Sequence, residues 1–369
     1  MTDNTPDAIP SNTVDHQLSA YNYTLPPSQI AQNPVTPRDH SKLLIIDSQI
    51  THQHSHFYDL GDWLSPGDLL VLNNTKVIPA RLFGRKSSGG AVEVLLVEPQ
   101  DEQRWLALVR PGKRIQPGAE ILFGEAESPL MRGLVESKDD STGGRIIKFV
   151  PEAEASIESL IYQLGQVPLP PYITESESLP NQYQTVYAQK TGAIAAPTAG
   201  LHFTETLLEK LAQKGIQTAE ITLHVGIGTF RPVEVTDIKT HEMHQERIEV
   251  STETVEKIRQ TKANGGRVIT VGTTSTRALE GVAAICGGLK AYTGRTDLFI
   301  YPGYQWKVID GMITNFHLPG SSLLMMVSAL IGRERLMEIY EDAIAQNYRF
   351  YSFGDAMLIL PKATINADH

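Results

Sequence analysis

Between Asp68 and Val150 the chain alternates apolar and polar positions in short runs: "DLLVLN", "IPARLFGR", "AVEVLLVE", "RWLALVR", "AEILF" and "RIIKFV". Gly-Gly, Pro-Gly and Ser-Gly dipeptides separate them at the spacing of a small barrel or sandwich, and no helical period intervenes. Beyond Pro151 the period changes. "EAEASIESLIYQLG", "FTETLLEKLAQKG" and "STETVEKIRQTKANGG" place apolar residues on one helical face, with glycine stops. Strand-like runs, "QTAEITLHV", "RVITVG", "DLFIYP" and "AMLIL", alternate with these helices, which is α/β architecture. A further strand, "KLLIID", precedes Asp68 and has no partner nearby in sequence. The pattern predicts an α/β fold: a discontinuous α/β domain, residues 21–66 and 152–369, with an inserted small β-barrel domain, residues 67–151. Residues 1–20 are polar, lack apolar periodicity and read as a disordered leader.

The length, 369 residues, supports two cores. A single cysteine, Cys286, leaves no internal disulfide and no cysteine-built metal site within one chain, which fits a reducing cytoplasm. The start lacks the basic and apolar parts of a signal peptide. The longest apolar run, "LLMMVSALIG" from Leu323, is about half a membrane span and reads as a buried helix, so no membrane partner is expected. A net charge of −10 argues against a protein coated in nucleic acid. Locally the balance reverses: Lys76, Arg81, Arg85, Lys86, Arg104, Arg110, Lys113 and Arg114 outnumber four acids in the same segment. An RNA-facing patch and charged strand edges that resist aggregation both account for it.

Four stretches carry candidate chemistry. In "RVITVGTTSTRALEGVA" a strand runs into Gly272, then Thr273, Thr274, Ser275 and Thr276, with a helix expected from about Arg277. Hydroxyls and free N–H groups at a helix start make an anion site, and Arg277 offers a bidentate clamp. A capped helix with no ligand reads equally well. In "GAIAAPTAGLHFTETLLEKL" small residues permit close backbone approach, Pro197 and Thr198 stiffen and polarise the loop, and His202 precedes a helix. "GMITNFHLPGSSLLMMVSALIG" sets Asn315, Phe316 and His317 before a helix opened by Ser321 and Ser322. "TLHVGIGTFRPVEVTDIKTHEMHQERIEV" gathers His224, Glu234, His241 and His244, with metal site, acid–base site and surface loop all open. Metal is the weakest of the three, since there is no HExxH and no third ligand at a fixed spacing. His52, His54 and His56 of "THQHSHF" alternate on one strand face and read as solvated, because three adjacent side chains on a flat strand seldom enclose an ion.

Taken together, "YNYTLPPSQIAQNPVTPRDHSKLLIID", "GDLLVLNNTKVIPARLFGRK", "YQTVYAQKTGAIAAPTAGLHFT", "LHVGIGTFRPVEV" with "HEMHQERIEV", "VGTTSTRALE", and "TNFHLPGSSLLMMVSALIG" with "YRFYSFGDAMLIL" resemble the S-adenosylmethionine:tRNA ribosyltransferase-isomerases of queuosine biosynthesis. The resemblance runs in order from about Tyr21 to Leu360. It implies an α/β domain with an inserted barrel. It also implies transfer and isomerisation of the ribosyl part of S-adenosylmethionine onto 7-aminomethyl-7-deazaguanine in tRNA, releasing adenine and methionine and leaving epoxyqueuosine-tRNA. A sulfonium acidifies its neighbouring 5′ carbon, and departing adenine needs a proton, so acid–base groups, a carboxylate anchor and a flat base pocket suffice. On that reading S-adenosylmethionine is a substrate, and no cofactor or metal is expected in a cytoplasmic monomer. His202, His224, Glu234, His241, His244 and His317 are then unranked candidates for proton transfer. Thr273, Thr274, Ser275, Thr276, Arg277, Pro197, Thr198 and Asn315 are candidates for substrate binding. Two rivals are a metal-assisted hydrolase using His224, His241 and His244, and an RNA-binding barrel on a structural α/β partner.

Overall fold

The computed structural model describes residues 13–365, except 126, 141, 227 and 229–232. Its centre is a nine-stranded mixed sheet in the order Tyr292–Thr296, Glu246–Val250, Gln217–Leu223, Leu69–Asn73, Val268–Val271, Gly311–Asn315, Ala356–Ile359, Lys42–Ile46, His52–His56. Leu69–Asn73 runs parallel to both its neighbours, and Val268–Val271 runs parallel to Gly311–Asn315. Every residue of Leu69–Asn73, Val268–Val271 and Gly311–Asn315 is buried, as parallel strands covered on both faces must be.

Alternate side chains divide the core in two. Leu44, Leu69, Val71, Val268 and Met312 pack with Leu279 and Val282 of helix Gly272–Cys286 and Met326 of helix Ser322–Ile331. Leu43, Leu70, Leu72, Ile269 and Ile313 pack on the opposite face with Leu207 and Leu211 of helix Glu205–Gln213. Four helices begin on a hydroxyl that accepts from the backbone three residues on: Ser156 from Ser159, Thr204 from Leu207 and Ser251 from Thr254, each at 3.1 Å, and Ser321 from Leu324 at 3.2 Å. Each satisfies one otherwise orphaned N–H group.

The barrel is six strands, Arg81–Lys86, Ala91–Pro99, Arg104–Arg110, Arg145–Pro151, Pro129–Lys138 and Glu120–Gly124, closed by pairing of the first with the last. Val94, Leu96, Phe123, Ile147 and Phe149 fill it. Its limits differ from those predicted. "DLLVLN" belongs to the central sheet, because an unbroken apolar run marks two-sided burial rather than a half-buried barrel strand. At the other end Gly165 and Gln166 pair with Leu82 and Arg81, and Leu160 and Ile161 join the barrel core. The inserted unit therefore spans about residues 81–166, not 67–151.

Two other expectations change. "DLFIYP" is not a strand. Sheet pairing stops at Thr296, and the apolar residues beyond it, such as Ile300, are buried by a crossing segment of coil. Residues 13–20 are not a disordered leader. Two 3-10 turns, Thr13–His16 and Leu18–Tyr21, dock through Arg333 Nε donating to Asp15 at 2.6 Å, the Leu18 N–H donating to Thr236 O at 3.0 Å, and the buried Tyr21 ring. Isolated anchors of this kind leave no periodicity to read. Residues 1–12 lie outside the described residues. Among the described residues no helix is long and apolar enough to cross a membrane.

Candidate active site

Helix Gly272–Cys286 starts five residues earlier than its sequence suggests, and its N-terminal residue Val271 supplies no side-chain cap. Gly272 has φ +89°, a left-handed conformation that turns the strand straight into the helix. The early start sorts the hydroxyls. Ser275 Oγ donates to Val271 O at 2.9 Å, and Thr276 Oγ1 lies 3.2 Å from Gly272 O and 2.7 Å from Thr270 Oγ1, so both are buried in the helix's own contacts. Thr273 and Thr274 face a narrow pocket instead, and the buried Thr274 Oγ1 has no hydrogen-bond partner among the described residues. The uncapped N–H groups beside it suit an anion or a polar ligand atom.

That pocket lies at the C-terminal ends of Val268–Val271 and Gly311–Asn315. Three of the four candidate stretches meet there: Pro197 and Thr198, Thr273 and Thr274, Asn315 and His317 all line it. Thr198 Oγ1 donates to Asn315 Oδ1 at 3.1 Å, and Asn315 Nδ2 donates to Tyr351 O and to His202 Nε2, both at 3.2 Å. His202 with an accepting Nε2 carries its proton on Nδ1, which donates to Ser41 Oγ at 2.6 Å. Its ring is fully buried and stacks on Phe57, behind the pocket wall. Burial, reinforced by Arg38 and Arg349, holds its pKa well below the usual histidine range. His317 is on the wall itself, 2.7 Å from Thr314 Oγ1, and burial pushes its pKa down to about 3.

A wider cleft of about 790 Å³ separates the barrel from the sheet edge. Glu98, Leu106 and Leu108 line its barrel side, and His224, Gly226, Gly228, His244 and Arg247 line the other. Val225 lines both cleft and pocket, so the two adjoin. His224 Nδ1 is 2.9 Å from Thr75 Oγ1, and burial, then Arg247, lowers its pKa. His244 packs so closely on Gly228 that a Cβ there would come 2.3 Å from the ring. His241 sits edge-on to Phe299, with its pKa lowered by burial and by His244, and Glu234 is exposed; neither lines the pocket or the cleft.

Arg277 is not placed as a ligand clamp. Its Nη1 donates to Glu246 Oε2 at 2.5 Å and its Nη2 to His244 O at 3.3 Å, with both side chains of the ion pair almost fully buried. Glu246 also accepts from the Gly226 N–H at 3.3 Å, so the pair fastens the helix to the turn between pocket and cleft. Arg277→Met is therefore expected to destabilise the fold by about 3–5 kcal/mol, through the buried carboxylate that loses its guanidinium. The double variant Arg277→Met/Glu246→Leu should recover most of that in urea unfolding. A single variant as stable as the parent would remove the pair's structural role.

Sequence reasoning did not single out Glu246, or Tyr172, Tyr351 and Ser352 on the pocket wall. Tyr172 lies far in the chain from Tyr351 and Ser352, and only "YRFYSFG", which holds the latter two, carried a signal, through the resemblance. Much of the basic segment serves the barrel itself. Arg81 pairs with Glu93, Arg104 with Asp101 and Glu136, Arg85 donates to the carbonyls of Gly124 and Glu125, and Lys86 to that of Arg114.

An α/β sheet with a pocket of about 80 Å³ at the ends of its central parallel strands, adjoining a cleft of about 790 Å³ bounded by an accessory barrel, defines an α/β protein of two units with its concave site at the strand ends. The sequence model of the queuosine biosynthesis protein family matches residues 18–359, and the chain belongs to that family. It is 61% identical to the S-adenosylmethionine:tRNA ribosyltransferase-isomerase of Acaryochloris marina, over 96% of this chain and 97% of that one. It is 60% identical to the protein of the same name from Synechococcus elongatus, over 95% and 98%. Among solved structures, the S-adenosylmethionine tRNA ribosyltransferase of Thermotoga maritima is 40% identical, with a TM-score of 0.53, covering 93% of this chain and all of that one.

Proposed function

We propose that this chain transfers the ribosyl portion of S-adenosylmethionine to 7-aminomethyl-7-deazaguanine in tRNA and rearranges it to the epoxycyclopentanediol of epoxyqueuosine, releasing adenine and methionine. The observation that carries this reading is the pocket that opens, through Val225, onto the cleft. A small sulfonium substrate and a nucleotide on a large RNA need two such adjoining sites. S-adenosylmethionine spans the two, with an anionic or hydroxyl group in the pocket at the uncapped start of helix Gly272–Cys286, adenine against the small residues 195–199, and the rest of the molecule in the adjoining cleft. The tRNA base enters by the cleft.

On this assignment His224 and His244 stand where the amine arrives and carry the proton transfers. His317, held neutral, serves as a hydrogen-bonding group for the substrate, and His202 positions Asn315. Glu234 and His241 take no direct part. S-adenosylmethionine is consumed as a substrate, and the chemistry calls for no further cofactor in a cytoplasmic monomer. The metal-assisted hydrolase has no support in the geometry. Among the described residues, the one set of three side chains with metal-ligand spacing is His52, His54 and Asp342, not His224, His241 and His244.

Incubation with S-adenosylmethionine and precursor tRNA should release adenine in step with nucleoside modification, and EDTA should leave the rate unchanged. Binding of both substrates without adenine release would reject the reaction. Loss of turnover in EDTA, restored by one metal, would reject the metal-free mechanism.

A further inference from the structure

We infer a divalent-cation site on the sheet edge, formed by His52 and His54 of strand His52–His56 with Asp342 of helix Arg333–Ala345 and suited to zinc. The alternation that read as a solvated face brings His52 and His54 to one side of the strand, and the helix lays a carboxylate between them. His52 Nε2 and His54 Nε2 each lie 3.1 Å from Asp342 Oδ2, and the three ligand atoms all fall within 4.8 Å of one another. Ligands 2.0–2.1 Å from a tetrahedral zinc are about 3.3–3.4 Å apart, so the set needs only a slight opening to hold the ion, with water in the fourth position. Two imidazoles and a carboxylate favour zinc or a neighbouring transition metal over magnesium. The three side chains are 22%, 41% and 30% exposed, which leaves an entry path.

The outer contacts sharpen the inference. His54 Nδ1 is 2.8 Å from Tyr348 Oη, a group that accepts the Nδ1 proton when Nε2 binds metal. His52 Nδ1 instead faces Arg335 Nη2 at 3.0 Å. Metal on Nε2 would set an Nδ1–H against that guanidinium, so Arg335 has to swing aside. It can do so towards Glu338, its exposed partner at 3.2 Å. Arg335 thus opposes binding.

The site is not in the reaction centre. It lies on the third strand beyond Gly311–Asn315, and the register sets His52 beside Ile46, level with Ile359 and Met312 rather than with Asn315. An ion there would fasten the edge strand to its covering helix, raising stability without entering catalysis.

The test uses the full chain, tag-free and stripped with chelator, titrated with zinc chloride against a chromophoric chelator and followed by thermal melting. One equivalent of zinc should bind and raise Tm, and magnesium should do neither. His54→Gln and Asp342→Asn should each weaken zinc by about tenfold or more, and Arg335→Ala should tighten it by about tenfold. Absence of stoichiometric binding, or binding that survives His54→Gln and Asp342→Asn together, would overturn the site. An Arg335→Ala variant with unchanged affinity would remove His52 from the ligand set.

Discussion

Asn315→Ala is expected to lower kcat/KM for adenine release by about 100-fold or more, with the fold retained. One side chain joins three parts of the pocket wall: Thr198 on the small-residue loop, His202 behind it and the Tyr351 carbonyl opposite. A displacement of about 1 Å in such a wall is enough for a loss of that size. The variant also strands one buried acceptor, His202 Nε2, at about 1–3 kcal/mol in the limit of no relaxation, while Tyr351 O keeps the Gly354 N–H at 3.0 Å. Melting curves must therefore accompany the kinetics. Thr198→Val, which removes one contact of the three, should fall between the variant and the parent. Parent-like kinetics in folded Asn315→Ala would take this pocket out of the reaction.

Folding stability should fall by about 2 kcal/mol between pH 7 and pH 5 from buried His317 alone, and further from buried His202. In the unfolded chain both titrate near 6.5. In the native protein His317 stays neutral down to about pH 3, and His202 to well below its ordinary range. Above pH 6.5 neither state binds these protons and stability is level. Below it the unfolded chain takes up a proton that native His317 refuses, a slope approaching about 1.4 kcal/mol per pH unit. His202 and His224, also lowered, steepen the fall. Urea unfolding at pH 7, 6 and 5 measures the effect, and His317→Gln should remove the share of the slope that His317 contributes. A stability curve flat from pH 7 to pH 5 would mean that these rings are not buried and neutral.

Periodicity located the barrel strands and most of the sheet, because half-buried strands and amphipathic helices print their environment on the sequence. It failed at two strands. Leu69–Asn73 is buried on both faces, and its unbroken run, lacking the alternation of the barrel strands beside it in sequence, marks it as a strand of the central sheet, although its place in the chain groups it with them. Gly311–Asn315 was overlooked beside its conspicuous "NFHLPG" neighbour, although it delivers Asn315 to the pocket. For the site, local reading found the right loops but not the direction of each group. Arg277 looked available at a helix start. Only the tertiary structure supplies Glu246, 31 residues away, as its partner. Similarly, Thr273 through Thr276 are equivalent on paper, and an early helix start turns two to the pocket and two to the interior.

The two ends of the barrel insertion are paired with each other: Leu82 opposite Gly165, and Arg81 opposite Gln166. A segment that departs and returns through one doorway is modular. Its core residues, from Leu82 to Ile161, form one cluster with Ile78, Ala80 and Ile194 at its base, separate from the two that flank the central sheet. A short glycine bridge across that doorway would shorten the chain by some 80 residues without threading or re-registering a strand of the sheet. The barrel could likewise be exchanged for another closed unit whose ends lie one strand spacing apart. Such an architecture lets an attachment be gained, lost or re-tuned while the central sheet and the pocket at its strand ends are inherited intact.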